Sequence, residues 1–218
     1  MFKLWPWLEA NKNRLIGAAV AVVVVTGLYS FLSWRHDQNE INAGEALTQL
    51  MVTPPSAAPE QTAGTFAQVA NNYAGTAAAQ RAQLQAAAVY FSAGRYVDAQ
   101  TQFQKALAAN STGPLAATAA LGVASSLEAQ GKLDDAATAY RQVTGQFADS
   151  AAAALPAKFA LGRIAEQQGK FTEAASYYQE IIHNPLAGTL ASEAEFRAME
   201  IKSKLPAAPK PAAAPVTK

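Results

Sequence analysis

The residues of this chain that could do chemistry are few and poorly placed for it. There are two histidines, His36 and His183, and no cysteine. Neither histidine has a second His or a pair of acids at the spacing a metal site needs. His183 falls near a predicted helix end, where an imidazole meets the dipole of its own helix. Without Cys there is no thiolate nucleophile, disulfide, zinc–thiolate site or lipid-bearing N-terminal residue. A phosphate loop of the form GxxxxGK does not occur. The pair Asp134–Asp135 reads as a solvated first helical turn, and Ser125–Ser126 has no base beside it in sequence. The residues therefore predict no catalytic, cofactor-binding or metal site, and a protein that is not an enzyme.

Charge narrows the classes further. The net charge is +1, only 15% of residues are charged, and Lys and Arg form no stripe. Nothing here would recruit nucleic acid. Half the residues are apolar, but many are alanine, which favours tightly packed helices over a bulky aliphatic core. One aromatic series, Phe66, Phe103, Tyr140 and Tyr178, could pass for a ligand box. Its spacings of 37, 37 and 38 residues point instead to core packing in a repeat.

That spacing leads to the elements. Three strings align: GRYVDAQTQFQKAL from Gly94, GKLDDAATAYRQV from Gly131 and GKFTEAASYYQEI from Gly169. In each, the Gly can take the left-handed conformation that ends a helix. An apolar residue two later (Tyr96, Leu133, Phe171) covers the turn. Asp98, Asp135 and Glu173 sit where the dipole of a second helix favours an acid. Ala99, Ala136 and Ala174 let two antiparallel helices approach, and the aromatic one turn on fills the gap to the next unit. Thr76 and Ser150 are expected to be N-caps, and Pro114 a first helical residue. The prediction is an all-α solenoid of helix pairs over residues 63–205, ending in a capping helix, Thr189 to Leu205, with a wet outer face.

Ahead of the repeats, Leu15 to Trp34 is 20 residues without a charge. As a helix it would span roughly 30 Å, the thickness of a bilayer core. A cleaved signal has a shorter apolar region and a small-x-small site; here Leu28, Tyr29, Phe31 and Leu32 interrupt any such site. Tyr29 and Trp34 suit a membrane interface. Lys3, Lys12 and Arg14 precede the span, and after Arg35 no Lys or Arg occurs until Arg81. The positive-inside rule then places residues 1–14 in the cytoplasm, a single-pass anchor at 15–34, and the rest across the membrane. Residues 35–62 read as a juxtamembrane helix, either continuing the anchor or forming half of a degenerate first unit, followed by a Pro-rich linker. Residues 206–218, rich in Pro and Ala, read as an extended tail.

The repeat strings resemble the tetratricopeptide repeat, best from Arg81 to Ile182. The Leu–Gly pair of that family stands at Leu161–Gly162, and its first-helix aromatic at Tyr90. The resemblance implies a groove lined by first helices, made here by Leu84, Ala88, Phe91, Leu121, Ser125, Glu128, Phe159, Arg163 and Glu166. Some repeat domains clamp a C-terminal carboxylate with Lys and Asn at such positions. Here only Arg163 is basic, so the groove is expected to take an extended or helical apolar segment. The order of parts, with Asn11-Lys12-Asn13-Arg14, the span and Trp34-Arg35, resembles the bacterial membrane-anchored ancillary subunit of the Sec translocon. The repeat half is also similar to the coordinator of the Tol–Pal envelope machinery. The first resemblance implies an inner-membrane protein with periplasmic repeats that meets translocon subunits, emerging chains or periplasmic chaperones, without cofactor. The alternative is a scaffold for envelope or cell-division assembly.

Overall fold

The computed structural model describes residues 4–52 and 58–204. Among them the chain forms nine helices and no strand: α1 (Leu4–Val52), α2 (Pro59–Asn72), α3 (Ala77–Ser92), α4 (Tyr96–Ala109), α5 (Ala116–Ala129), α6 (Leu133–Gln146), α7 (Ala151–Gln167), α8 (Phe171–Ile182) and α9 (Thr189–Lys202). The expected helical solenoid forms, with α3/α4, α5/α6 and α7/α8 as its pairs. The tail at 206–218 and the middle of the Pro-rich linker lie outside the described residues.

The three repeat glycines make the same turn. Gly94, Gly131 and Gly169 have φ of +75°, +76° and +72°. Their N–H groups donate to the carbonyls of Phe91, Glu128 and Glu166 at 3.0, 2.8 and 3.0 Å. The residues that follow, Arg95, Lys132 and Lys170, donate five positions back, to Tyr90, Leu127 and Ala165, at 2.9, 3.0 and 2.8 Å. This paired pattern closes a helix end and reverses the chain within two residues. Beyond the turn Ala99, Ala136 and Ala174 are each fully buried, because any larger side chain there would hold the two helices apart.

Two capping expectations need correction. Thr76 does cap α3, its Oγ1 accepting from the Ala79 N–H at 3.0 Å. Ser150 occupies the cap position of α7, but its side chain makes no cap bond. Pro114 is not the first residue of α5. It sits second in a tight turn closed by the Ala116 N–H on the Gly113 carbonyl at 3.0 Å, a position for which its fixed φ is suited, and the helix begins two residues later.

Contacts between helices depend on glycine at two points. A Cβ added at Gly122 would lie 2.5 Å from the Phe103 ring, and one at Gly162 would lie 2.6 Å from the Tyr178 ring. Phe103 thus packs forward onto the next unit, as expected, whereas Tyr178 packs back onto the first helix of its own pair.

α1 runs unbroken for 49 residues, about 70 Å at the usual rise. Among the described residues it is the one helix long and apolar enough to cross a membrane. Its apolar half is exposed throughout, including Val22, Leu28 and Phe31. Its last turns behave differently. Ala43 and Leu47 are buried against Phe66, Val69 and Ala70 of α2 and Ala78, Ala82 and Ala86 of α3. The carboxylate of Glu40 accepts from the N–H groups of Ala77 and Ala78 at 2.9 and 3.1 Å, satisfying orphan donors at the α3 N-terminus alongside Thr76. The segment after the apolar stretch therefore continues α1 and packs across the start of the stack, on both α2 and α3.

The glycines give a prediction with opposite signs. Gly122→Ala and Gly162→Ala should each lower stability by about 1–3 kcal/mol through overpacking. Gly64→Ala, in the middle of α2 with open space around it, should raise stability by about 0.5–1 kcal/mol through its helix propensity. Urea melts followed by circular dichroism would read both; equal effects at all three sites would contradict the packing described. Glu40→Ala should cost about 1 kcal/mol, as loss of a helix cap does.

Candidate partner-binding groove

The first helices α3, α5, α7 and α9 contact one another in turn along the stack, and clefts open where they meet. A cleft of about 630 Å³ opens between α5 and α7, lined by Phe91, Ser125, Glu128, Leu133, Tyr140 and Arg163. A second, of about 350 Å³, involves Leu121, Pro156, Phe159, Arg163, Leu190 and Arg197. A third, of about 280 Å³, is bounded by Arg163, Glu166, Phe171, Arg197 and Lys204. Seven of the nine expected positions thus line these clefts: Phe91, Leu121, Ser125, Glu128, Phe159, Arg163 and Glu166. The other two do not. Leu84 packs against Ala87, Ala99 and Phe103, and Ala88 is exposed beyond the clefts. A separate cleft of about 440 Å³ lies between the turn after α2 and the α4–α5 loop.

The centre of the groove is more polar than expected. The Arg163 guanidinium donates to Glu128 Oε1 at 2.7 Å, and the Tyr140 hydroxyl donates to Glu128 Oε2 at 2.7 Å. The Ser125 hydroxyl is 3.1 Å from the same phenol oxygen. One carboxylate, only 16% exposed, is thereby held by a cation from the next unit and a phenol from its own. The arrangement recurs one unit on, where the Tyr178 hydroxyl donates to Glu166 Oε2 at 3.2 Å. Rings flank the charges: Phe159 lies 5.7 Å from Tyr178 between centroids and 6.0 Å from the Arg163 guanidinium carbon. At the other end Phe91 meets Tyr96 edge-on at 5.2 Å. The Nε atoms of Arg163 and Arg197 are buried without a hydrogen-bond partner.

Burial is the main cause that pushes the Tyr140 phenol well above its ordinary value; the Glu128 carboxylate adds to the rise and the Ser125 hydroxyl offsets part of it. Tyr178 is raised in the same way, by burial and then by Glu166, with Arg197 and Arg163 opposing. Both phenols therefore act as fixed hydrogen-bond donors that hold an acid in place. No paired base stands ready to activate a nucleophile in this network.

Tyr140 and Tyr178 read as core in the sequence, and their rings are core, 2% and 0% exposed. What that reading missed is that their hydroxyls reach the groove. A signal for it exists. Glu128 and Tyr140 are 12 residues apart, as are Glu166 and Tyr178. In the unit before, where Phe103 has no hydroxyl, the position 12 residues earlier is Phe91 rather than an acid. Arg197 and Lys204 have no counterpart among the expected groove residues, because they lie on the cap helix and beyond, past the three aligned units. Among the described residues no three of His, Cys, Asp and Glu gather as a metal site would require. His183 bonds through Nδ1 to the Gln179 carbonyl of its own helix at 2.7 Å.

Comparison with known proteins gives one family. The chain matches the family model described as a tetratricopeptide repeat-like domain over residues 5–203, so the match takes in α1 as well as the helix pairs. No curated protein matches significantly.

The raised phenols predict an alkaline effect. Below the ordinary tyrosine value of about 10 both states keep these protons; above it the unfolded chain releases them first. Stability is therefore full below about pH 10 and declines as pH rises toward the folded-state values. Urea midpoints measured from about pH 8 to 11 should fall less in the Tyr140→Phe, Tyr178→Phe double variant than in the parent. A decline of equal slope in both would contradict the assignment.

Proposed function

Because the chain belongs to the tetratricopeptide repeat-like family, a fold generally used for non-enzymatic protein interaction, we propose that it is an inner-membrane protein that holds protein segments at the exit side of the Sec translocon. The observation that carries this reading is the passage of α1 from its apolar half directly into packing contact with α2 and α3. With Leu15–Trp34 in the bilayer, Ala43 of the solenoid core lies about 13 Å beyond the span along the helix. The groove is then held near the membrane surface, at high local concentration relative to chains leaving a pore, so that weak contacts suffice.

The basic residues before the span, and their absence between Arg35 and Arg81, favour a cytoplasmic N-terminus and periplasmic repeats. The groove supports a modest, adaptable fit. Phe91, Leu133 and Phe159 offer apolar and aromatic surface, while the Arg163–Glu128 pair offers one donor and one acceptor direction. Such a surface accommodates an extended or helical segment with scattered apolar side chains, which describes an emerging secreted chain or a docking segment of a periplasmic chaperone.

A photocrosslinking residue placed at Phe91 or Phe159 of the full-length protein in intact membranes tests the proposal. Adducts should form with secreted chains during their export or with periplasmic chaperones, and translocon subunits should co-purify. A single stoichiometric envelope or division protein, with no translocon subunit, would replace this reading by the scaffold alternative. Resistance of the repeats to protease in spheroplasts would overturn the topology.

A further inference from the structure

The last described helix exposes a face that the same face of an earlier helix keeps covered. α9 repeats α7 at an offset of 37 residues. Ala157 and Ala194 are both fully buried, and Ile164 and Ile201 are 2% and 0% exposed. In α7 this register places Phe159 and Gly162 beneath the Tyr178 ring, with Phe159 5.7 Å away between centroids and a Gly162 Cβ position 2.6 Å from the ring. In α9 it places Phe196 and Met199, which are 64% and 69% exposed. Among the described residues nothing does for α9 what α8 does for α7.

Residues 205–218 lie outside the described structure, and their sequence does not continue the repeat. At the same offset the turn glycine Gly169 becomes Pro206, Ala174 becomes Pro211 and Tyr178 becomes Pro215. The sequence there lacks the turn glycine, the small residue and the ring with which α8 covers α7. The uncovered face also has a rim. At 100° per residue, Glu193 and Glu200 flank the Phe196–Met199 strip on one side and Glu195 on the other. Arg197 is drawn toward Glu193 and Glu200, at 3.9 and 3.8 Å, Lys202 lies at the far end of the helix, and Lys204 is engaged with the Phe171 ring at 5.5 Å. Two copies of the chain joined through this face would set acidic rims against each other.

We propose that α9 docks an amphipathic helix of a partner protein, which completes a helix pair with it. The partner helix carries a small residue, an aromatic four positions on and an aliphatic three further, the stripe that Ala174, Tyr178 and Ile181 form on α8. Its flanks are Lys or Arg, opposite the three glutamates. This surface is continuous with the α7–α8 interface, which it extends by one helix, and it adjoins the groove, whose second cleft shares Glu193.

The probe is a fluorescein-labelled helical peptide with Ala, Tyr and Ile at those spacings and Lys on its flanks. It is titrated by anisotropy against the full chain in nanodiscs of neutral lipid. Saturable binding is expected, weakened about tenfold or more by Phe196→Ser with Met199→Ser, as removal of a central anchor does. Replacing Glu193, Glu195 and Glu200 together by Gln should weaken it several-fold and flatten its salt dependence. Because Phe196 and Met199 are exposed, the variants should melt with the parent, which separates lost docking from lost folding. Absence of saturation, or equal binding by the serine variant, would overturn the proposal. So would a dimer in sedimentation that Phe196→Ser abolishes, which would make a second copy the occupant. So would tighter peptide binding by a chain ending at Lys204, which would make residues 205–218 the occupant.

Discussion

Every feature of this solenoid depends on how closely two antiparallel helices can approach. Ala99, Ala136 and Ala174 leave no side chain beyond a methyl group at the point of contact, and the left-handed glycine before each reverses the chain within two residues. A close pair has little interior of its own, so it gains most of its buried surface from the neighbouring pair. Phe103 fills that shared space, Tyr178 the seam within its own pair, and where each ring meets a first helix the facing residue is Gly122 or Gly162. The alanine-rich composition is thus a geometric requirement of the packing.

The groove follows from the same geometry. Second-helix rings pass between the first helices and end at their outer face, so a phenol can be core at its ring and surface at its hydroxyl. That is how Tyr140 and Tyr178 come to fix Glu128 and Glu166 on the interaction face. Arg163 then joins α7 to α5 through the first of these acids. The half-buried ion pair contributes little net stability by itself, since desolvation offsets much of the attraction. Its effect is to hold one anion and one cation at set positions at the centre of the groove.

Much of the fold was legible in the sequence because the features that define it are local and repeated. The glycine turns, the buried alanines and the phase of the aromatics all stand at recurring offsets. Single-occurrence features were harder to read. Ser150 has the right side chain for a cap and does not use it, whereas Glu40 caps α3 from 37 residues away in sequence, where no capping pattern would be sought. Pro114 suits a first helical turn by its fixed φ, yet it suits the tight turn before the helix equally well. In the groove, register suffices to place seven positions along the clefts but not to show the polarity of the centre, because each hydroxyl belongs to a ring that is core. The 12-residue interval between each acid and its tyrosine was available to reading and would have corrected this.

The unbroken course of α1 has a directional consequence. A flexible tether would let a repeat domain turn freely about its attachment. Here the domain is packed onto the end of the same helix that carries the apolar stretch, by Ala43, Leu47 and the Glu40 cap. Each residue of an α-helix advances the azimuth by about 100°, so the number of residues between the apolar stretch and Glu40 sets the compass bearing of the groove. A rotation of the apolar stretch about its own axis, imposed by any neighbour pressed against it, is transmitted to the groove as an equal change of heading.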